Sequence, residues 1–332
     1  MKVAVFILLI LASLFAYIQF VYRPAHRVPK EVAYVLPSTA PMVDTPADIR
    51  QVIDTLRAGE RVEVQTRTRN WAHVRTESGL DGWVELKNLI DGPTYEAGQR
   101  LLNSLEDAPV QAVGHTSDVA NLRLEPSREG SQLAQLAGNQ AVAVLSRRLV
   151  DRPPPPDQPP TAPPVRDAWY LVRADSRVGW ILGRLVTLDI PEAISFYAQS
   201  ANLVAWFVLD TVADNGREVP QYLVADRTAA SEFDFDHIRV FTWWVKNEKY
   251  ATAYVESNLR GYFPIRVQQL DGVPYFRLRV VDEDGNAVQR VYGLFNTQTR
   301  LLGLVPGWET NALPGSQHKS RAAHGRRPAR GR

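Results

Sequence analysis

The sequence predicts a mainly β protein with an N-terminal transmembrane helix, two small β-barrels joined by a helix, and a C-terminal antiparallel β-meander or barrel. Three observations predict it. A nearly unbroken apolar run covers residues 3–22. Residues 42–64 match residues 122–144 at an offset of 80 with no gap. From Asn202 to Trp308, short alternating apolar runs are separated by tight-turn signals.

The apolar run is broken only by Ser13 and Gln19. A helix of ~20 residues spans about 30 Å, the hydrocarbon thickness of a bilayer. The run ends in Phe20-Val21-Tyr22-Arg23-Pro24, a poor cleavage site, and Tyr17 and Tyr22 suit the membrane interface. Residues 1–23 are therefore read as an anchor, with a cleaved signal as the alternative. Lys2 lies on one side and Arg23, Arg27 and Lys30 on the other, so charge alone does not set the orientation.

The repeat comes next. Met42 matches Leu122, Ile53 matches Leu133, Leu56 matches Leu136, and Val62 and Val64 match Val142 and Val144. Further on, Asn70-Trp71-Ala72-His73-Val74-Arg75 parallels Ala168-Trp169-Tyr170-Leu171-Val172-Arg173, and Gly82-Trp83-Val84 parallels Gly179-Trp180-Ile181. The larger second offset comes from a proline-rich insertion at 151–167, which cannot join a sheet ladder and is placed in a surface loop. Valines alternating with polar residues, with turns such as Arg57-Ala58-Gly59 between them, read as short strands of small barrels.

In the second unit, Asn121-Leu122-Arg123, Pro126-Ser127, Leu133, Leu136, Gly138, Val142, Val144, Trp169, Val172 and Gly179-Trp180-Ile181 resemble the bacterial SH3-like domain. The first unit departs from that pattern, with Pro41-Met42-Val43 in place of Asn-Leu-Arg. Its assignment rests on its C-terminal half and on the repeat. The resemblance implies domains at 31–91 and 110–190, and recognition of peptidoglycan or peptides outside the inner membrane. Trp71, Trp83, Trp169 and Trp180 are the candidates for an aromatic groove, with core packing as their alternative role.

Residues 92–109 are expected to form a connecting helix, with proline in its first turn and an apolar stripe of Leu101, Leu102 and Leu105. A second short helix is expected from Pro191 to Gln199. About seven strands are expected within 191–310. In the sixth of these, Phe276, Leu278 and Val280 face one way, and Tyr275, Arg277 and Arg279 the other. Arg277 and Arg279, with Arg266 and Arg290 nearby, either bind an anion or form a solvated face. Residues 311–332 carry six basic residues and no acid, in a chain of net charge +2, and are read as a disordered basic tail.

The absence of cysteine excludes disulfides, thiolate metal sites, cysteine nucleophiles and a lipoprotein anchor. The six histidines form no H-E-x-x-H pattern, and neither a phosphate loop nor a nucleophile elbow is present. Asp234, Asp236 and His237 cluster near a strand start, where a turn or edge role is expected. No catalytic residue, metal or cofactor is assigned.

The expectation is thus a non-enzymatic binding or scaffold protein, anchored once in the inner membrane through residues 3–22, with its bulk in the periplasm. Its partners would be peptidoglycan or envelope proteins rather than nucleic acid. The alternatives are export after signal cleavage, a wall hydrolase with a C-terminal catalytic domain, and an assembly factor tethered to the inner face. The sequence leaves the oligomeric state open.

Overall fold

The computed structural model describes residues 31–152, 165–228 and 231–308. The described residues divide into two compact units, residues 31–95 and 96–308. All strand pairing within the named sheets is antiparallel.

The first unit is one sheet of seven strands: β1 (Glu31–Val35), β2 (Thr39–Val43), β3 (Val52–Arg57), β4 (Arg61–Arg67), β5 (Trp71–Thr76), β6 (Asp81–Glu85) and β7 (Leu89–Asp91). Their order is β3-β2-β6-β5-β4-β1-β7. Alternation puts Val62, Val64, Ala72, Val74 and Val84 inside, packed with Ala33, Met42 and Leu56. Gly59, at φ 79°, makes the turn into β4 that a side chain would strain.

The second unit opens with most of α1 (Gly92–Ser104) and repeats that plan. Its strands are β8 (Ala112–Thr116), β9 (Ala120–Arg123), β10 (Gln132–Leu136), β11 (Ala141–Arg152), β12 (Val165–Ala174), β13 (Arg177–Leu182) and β14 (Val186–Leu188). The order β10-β9-β13-β12-β11-β8-β14 is that of the first sheet, position for position. Even the irregularity recurs: a bulge falls after Val64 in β4 and after Val144 in β11. The glycine before each closing tryptophan has the same physical reason. A Cβ on Gly82 would lie 2.7 Å from Met42 Cγ, and one on Gly179 would lie 2.7 Å from Leu122 Cγ. The long β11–β12 hairpin takes in the ends of the proline-rich insertion, pairing Asp151 with Arg166 and Arg152 with Val165, contrary to the expectation that none of it joins a ladder; its residues 153–164 lie outside the described residues.

After α2 (Glu192–Ala198), the rest of the unit forms two four-stranded sheets. One holds β15 (Asn202–Asp214), β16 (Arg217–Arg227), β17 (His237–Trp244) and β18 (Lys249–Glu256). The other holds β19 (Gly261–Leu270), β20 (Val273–Val281), β21 (Ala287–Phe295) and β22 (Gln298–Pro306). One apolar core serves both, including Leu223, Ile238 and Val240 from the first and Phe276, Leu278 and Tyr292 from the second. Eight strands thus stand where about seven were expected. The Asp214-Asn215-Gly216 turn forms as read, with φ of 50° at Asn215 and 77° at Gly216. The buried amide side chain of Gln111 accepts from the Ile265 amide (2.8 Å) and donates to the Ile265 carbonyl (3.2 Å), which ties the barrel to β19.

One expectation needs correction. Among the described residues no helix is long and apolar enough to cross a membrane, and α1, the longer of the two α-helices, has 13 residues. The single-pass inner-membrane placement with a periplasmic bulk is not supported on that finding. Residues 3–22 and the basic tail 311–332 lie outside the described residues.

Candidate functional site

On β5, Trp71 and His73 alternate with the buried Ala72 and Val74, so both rings stand on the outer face of the first sheet. The turn leading into β5 is fixed by Thr68, whose amide and hydroxyl both donate to the Trp71 carbonyl, at 2.8 and 3.1 Å. Strand pairing sets Trp71 opposite Glu85 and His73 opposite Trp83. The His73 and Trp83 rings lie 5.0 Å apart at a tilt of 49°.

A cleft of about 440 Å³ opens beside the half-buried Trp71 ring. Arg50, Arg69 and Lys87 bring three cations to its walls, with Asn70, Glu85 and Leu86 completing them. The Arg50 guanidinium lies 5.1 Å from the centre of the indole. Lys87 pairs with Glu85, while Arg69 has no ion-pair partner among the described residues. An aromatic ring beside Arg50 and Arg69 suits a sugar or peptide that carries a carboxylate.

Residues 46–90 match the bacterial SH3 domain. Every residue lining the Trp71 cleft falls inside that segment. The match ends at residue 90 and does not take in the second barrel. No curated protein matches the chain. Among solved structures, the chain is similar to NlpC2 from Trichomonas vaginalis, at 12% identity over 85% of this chain and 98% of that one, with a TM-score of 0.18. NlpC1 from the same organism gives 12% identity over 86% and 95%, with a TM-score of 0.18. A NlpC/P60 family protein from Bacillus cereus gives 12% over 82% and 100%, with a TM-score of 0.19.

The SH3 segment and the second barrel treat their tryptophans differently. Trp169 takes the register position of Trp71, but it faces Leu182 instead of Glu85 and is only 3% exposed. Trp180 takes the position of Trp83, faces Leu171 instead of His73, and is 8% exposed. These four residues join Leu145 and Val178 in a second small core, closed by Leu101 and Leu102 of α1 and by Leu105 just past its end. The face that stands open in the first barrel is therefore a packing face in the second.

The two arginines separate as well. Arg277 is 3% exposed, and burial together with the neighbouring Arg266 charge lowers its pKa. Arg279 is half-buried and lines a different cleft, together with Trp180. Arg290 points to the other face, where it pairs with Glu256 beside the Tyr292 hydroxyl. Asp236 and His237 are joined by Asp226 from β16, with their potential ligand atoms within 4.8 Å of one another. All three are already engaged. Tyr197 donates to Asp226 at 2.6 Å, the Thr228 hydroxyl donates to Asp236 at 2.7 Å, and His237 Nδ1 lies 2.5 Å from Asp236. No sequence pattern singles out Arg50, Arg69 or Lys87. Only Arg69 is close in sequence to Trp71, whereas Arg50 and Lys87, the latter in a short 3-10 helix, come to the cleft through the fold.

Proposed function

We propose that this chain is a non-enzymatic binding protein whose first barrel recognises a cell-wall or peptide ligand through the Trp71 cleft. The observation that carries the reading is the position of Trp71, half-open at the floor of a cationic cleft inside the segment that matches the bacterial SH3 domain. A sugar ring or peptide side chain would stack on the indole, and Arg50 and Arg69 would hold a carboxylate by charge-assisted bonds. Peptidoglycan offers both groups and is the ligand to test first.

We further read residues 110–190 as a second module of the same kind, supported by the shared strand order and the shared bulge. With its equivalent face covered by α1, this module acts as a platform rather than a reader.

The test is co-sedimentation of the full chain with purified peptidoglycan. Trp71→Ala should cut retention roughly tenfold or more, as loss of an aromatic anchor does. Trp244→Ala, at an exposed tryptophan of the other unit, should leave it unchanged. Equal retention of the Trp71 variant and the unsubstituted chain would overturn the proposal. Release of soluble wall fragments during the assay would favour the hydrolase alternative.

A further inference from the structure

A second cleft, of about 470 Å³, lies within the unit that begins at Glu96. The end of α1, the Leu145–Arg148 stretch of β11, Trp180, and strands β19 and β20 wall it. Four guanidinium groups line it, those of Arg147, Arg148, Arg266 and Arg279, against two acids, Glu106 and Asp107.

The four differ in what already holds them. Arg147 is buried and committed: its Nη1 donates to the Phe233 carbonyl at 3.0 Å and lies 3.5 Å from Asp234. Arg279 donates to the Trp308 carbonyl at 3.1 Å. Arg148 is exposed, with its guanidinium 5.2 Å from the centre of the Trp180 ring. Arg266 has no ion-pair partner among the described residues and faces Arg277 directly across the β19–β20 ladder. Like charges in that position repel, so the sheet holds Arg266 at a cost that an anion would relieve. The carbonyls just past the end of α1 are held by an arginine outside this group. Arg173 takes the Leu105 and Glu106 carbonyls, at 2.5 and 3.2 Å.

We propose that this cleft binds a small anionic ligand, with a carboxylate or phosphate carried on an apolar or ring-shaped body. The oxyanion would sit among Arg148, Arg266 and Arg279, whose planar forks match two-oxygen anions. The body would lie against Phe263 and Pro264, which supply an apolar wall. This site is separate from the Trp71 cleft and does not depend on that reading.

Calorimetric titration of the full chain with phenyl phosphate, benzoate and inorganic phosphate tests it. Phenyl phosphate or benzoate should bind saturably and more tightly than inorganic phosphate, and the tighter of the two identifies the anion. Arg148→Gln and Arg266→Gln should each weaken that binding by about tenfold or more, the effect of losing a charge-assisted bond. Arg266→Lys, which keeps the charge without the fork, should retain part of it. Arg184→Gln, at an exposed arginine outside the cleft, and Trp71→Ala should change nothing. No saturable binding of any probe, or affinity in Arg148→Gln and Arg266→Gln equal to that of the unsubstituted chain, would overturn the proposal.

Discussion

Trp71 and Trp169 hold the same position in two copies of one strand plan, yet only one of them is structural. Removing Trp169 would leave a void among Leu145, Leu171 and Leu182, and Trp169→Ala should destabilise its unit by about 3–5 kcal/mol. Removing Trp71 loses a half-exposed ring and one cation–π contact with Arg50, worth about 0.5–1 kcal/mol at an exposed site. Chemical unfolding of the two single variants checks the contrast, and similar losses for both would count against it. The sequence makes the strands and the paired tryptophans legible because alternation is local. It does not reveal which tryptophan is covered, because the cover comes from Leu101, Leu102 and Leu105, far back in the chain. The polar-to-apolar changes from His73 to Leu171 and from Glu85 to Leu182 were the available sign.

Among the elements, α1 shows what the pattern can and cannot deliver. Its leucine stripe and its start near proline are visible in the sequence. The Asp91 carboxylate fixes the start by accepting from the Thr94 amide at 2.9 Å and the Thr94 hydroxyl at 2.7 Å. The partner of the stripe becomes known only from the fold. Leu105 is half-buried, so Leu105→Ala should cost about 1–3 kcal/mol, below a fully buried leucine. Tryptophan emission should shift to the red as Trp180 gains water, and an unshifted spectrum with unchanged stability would show that Leu105, just past the end of α1, does not seal this core. The final strand, β22, is poorly legible in the sequence for a different reason. A bulge between Val291 and Tyr292 changes the pairing from Gly303 to Leu301 and leaves Leu302 outside the ladder. Adjacent exposed leucines then break the period-2 signal on which the reading depends. The repeat was easier to see. Its offset of 80 holds because both barrels place the bulge at the same point and the same small core around Met42 and Leu122.

Across the whole molecule, carboxyl groups of opposite tendency make stability depend on pH in two directions. A hydrogen bond from Arg75 holds Asp81 below the usual carboxylate range. Burial works against ionisation of Asp91 and Asp236, but the amide and hydroxyl of Thr94 for one, and Thr228 and His237 for the other, more than offset it, and both end below that range. These groups stabilise the fold wherever they are ionised. Their contribution is present above the ordinary carboxylate value of about 4 and is lost as pH falls through their own lower values. Asp81 is exposed, so solvent screens its share, and Asp236 carries more of the effect. Asp234 has the opposite sign. Burial raises its pKa despite the Phe263 amide and the Arg147 charge. Its folded state takes up a proton more readily than the unfolded chain, so stability grows as pH falls through that raised value towards about 4. Thermal unfolding of the full chain between about pH 3 and about pH 7 should therefore show a gain on mild acidification and a loss below about pH 4. Asp234→Asn should remove the gain, because its amide does not titrate, and Asp236→Asn should flatten the loss. An Asp236→Asn variant with the acid slope of the unsubstituted chain would show that the Thr228–Asp236–His237 bonds do not set the acid limit.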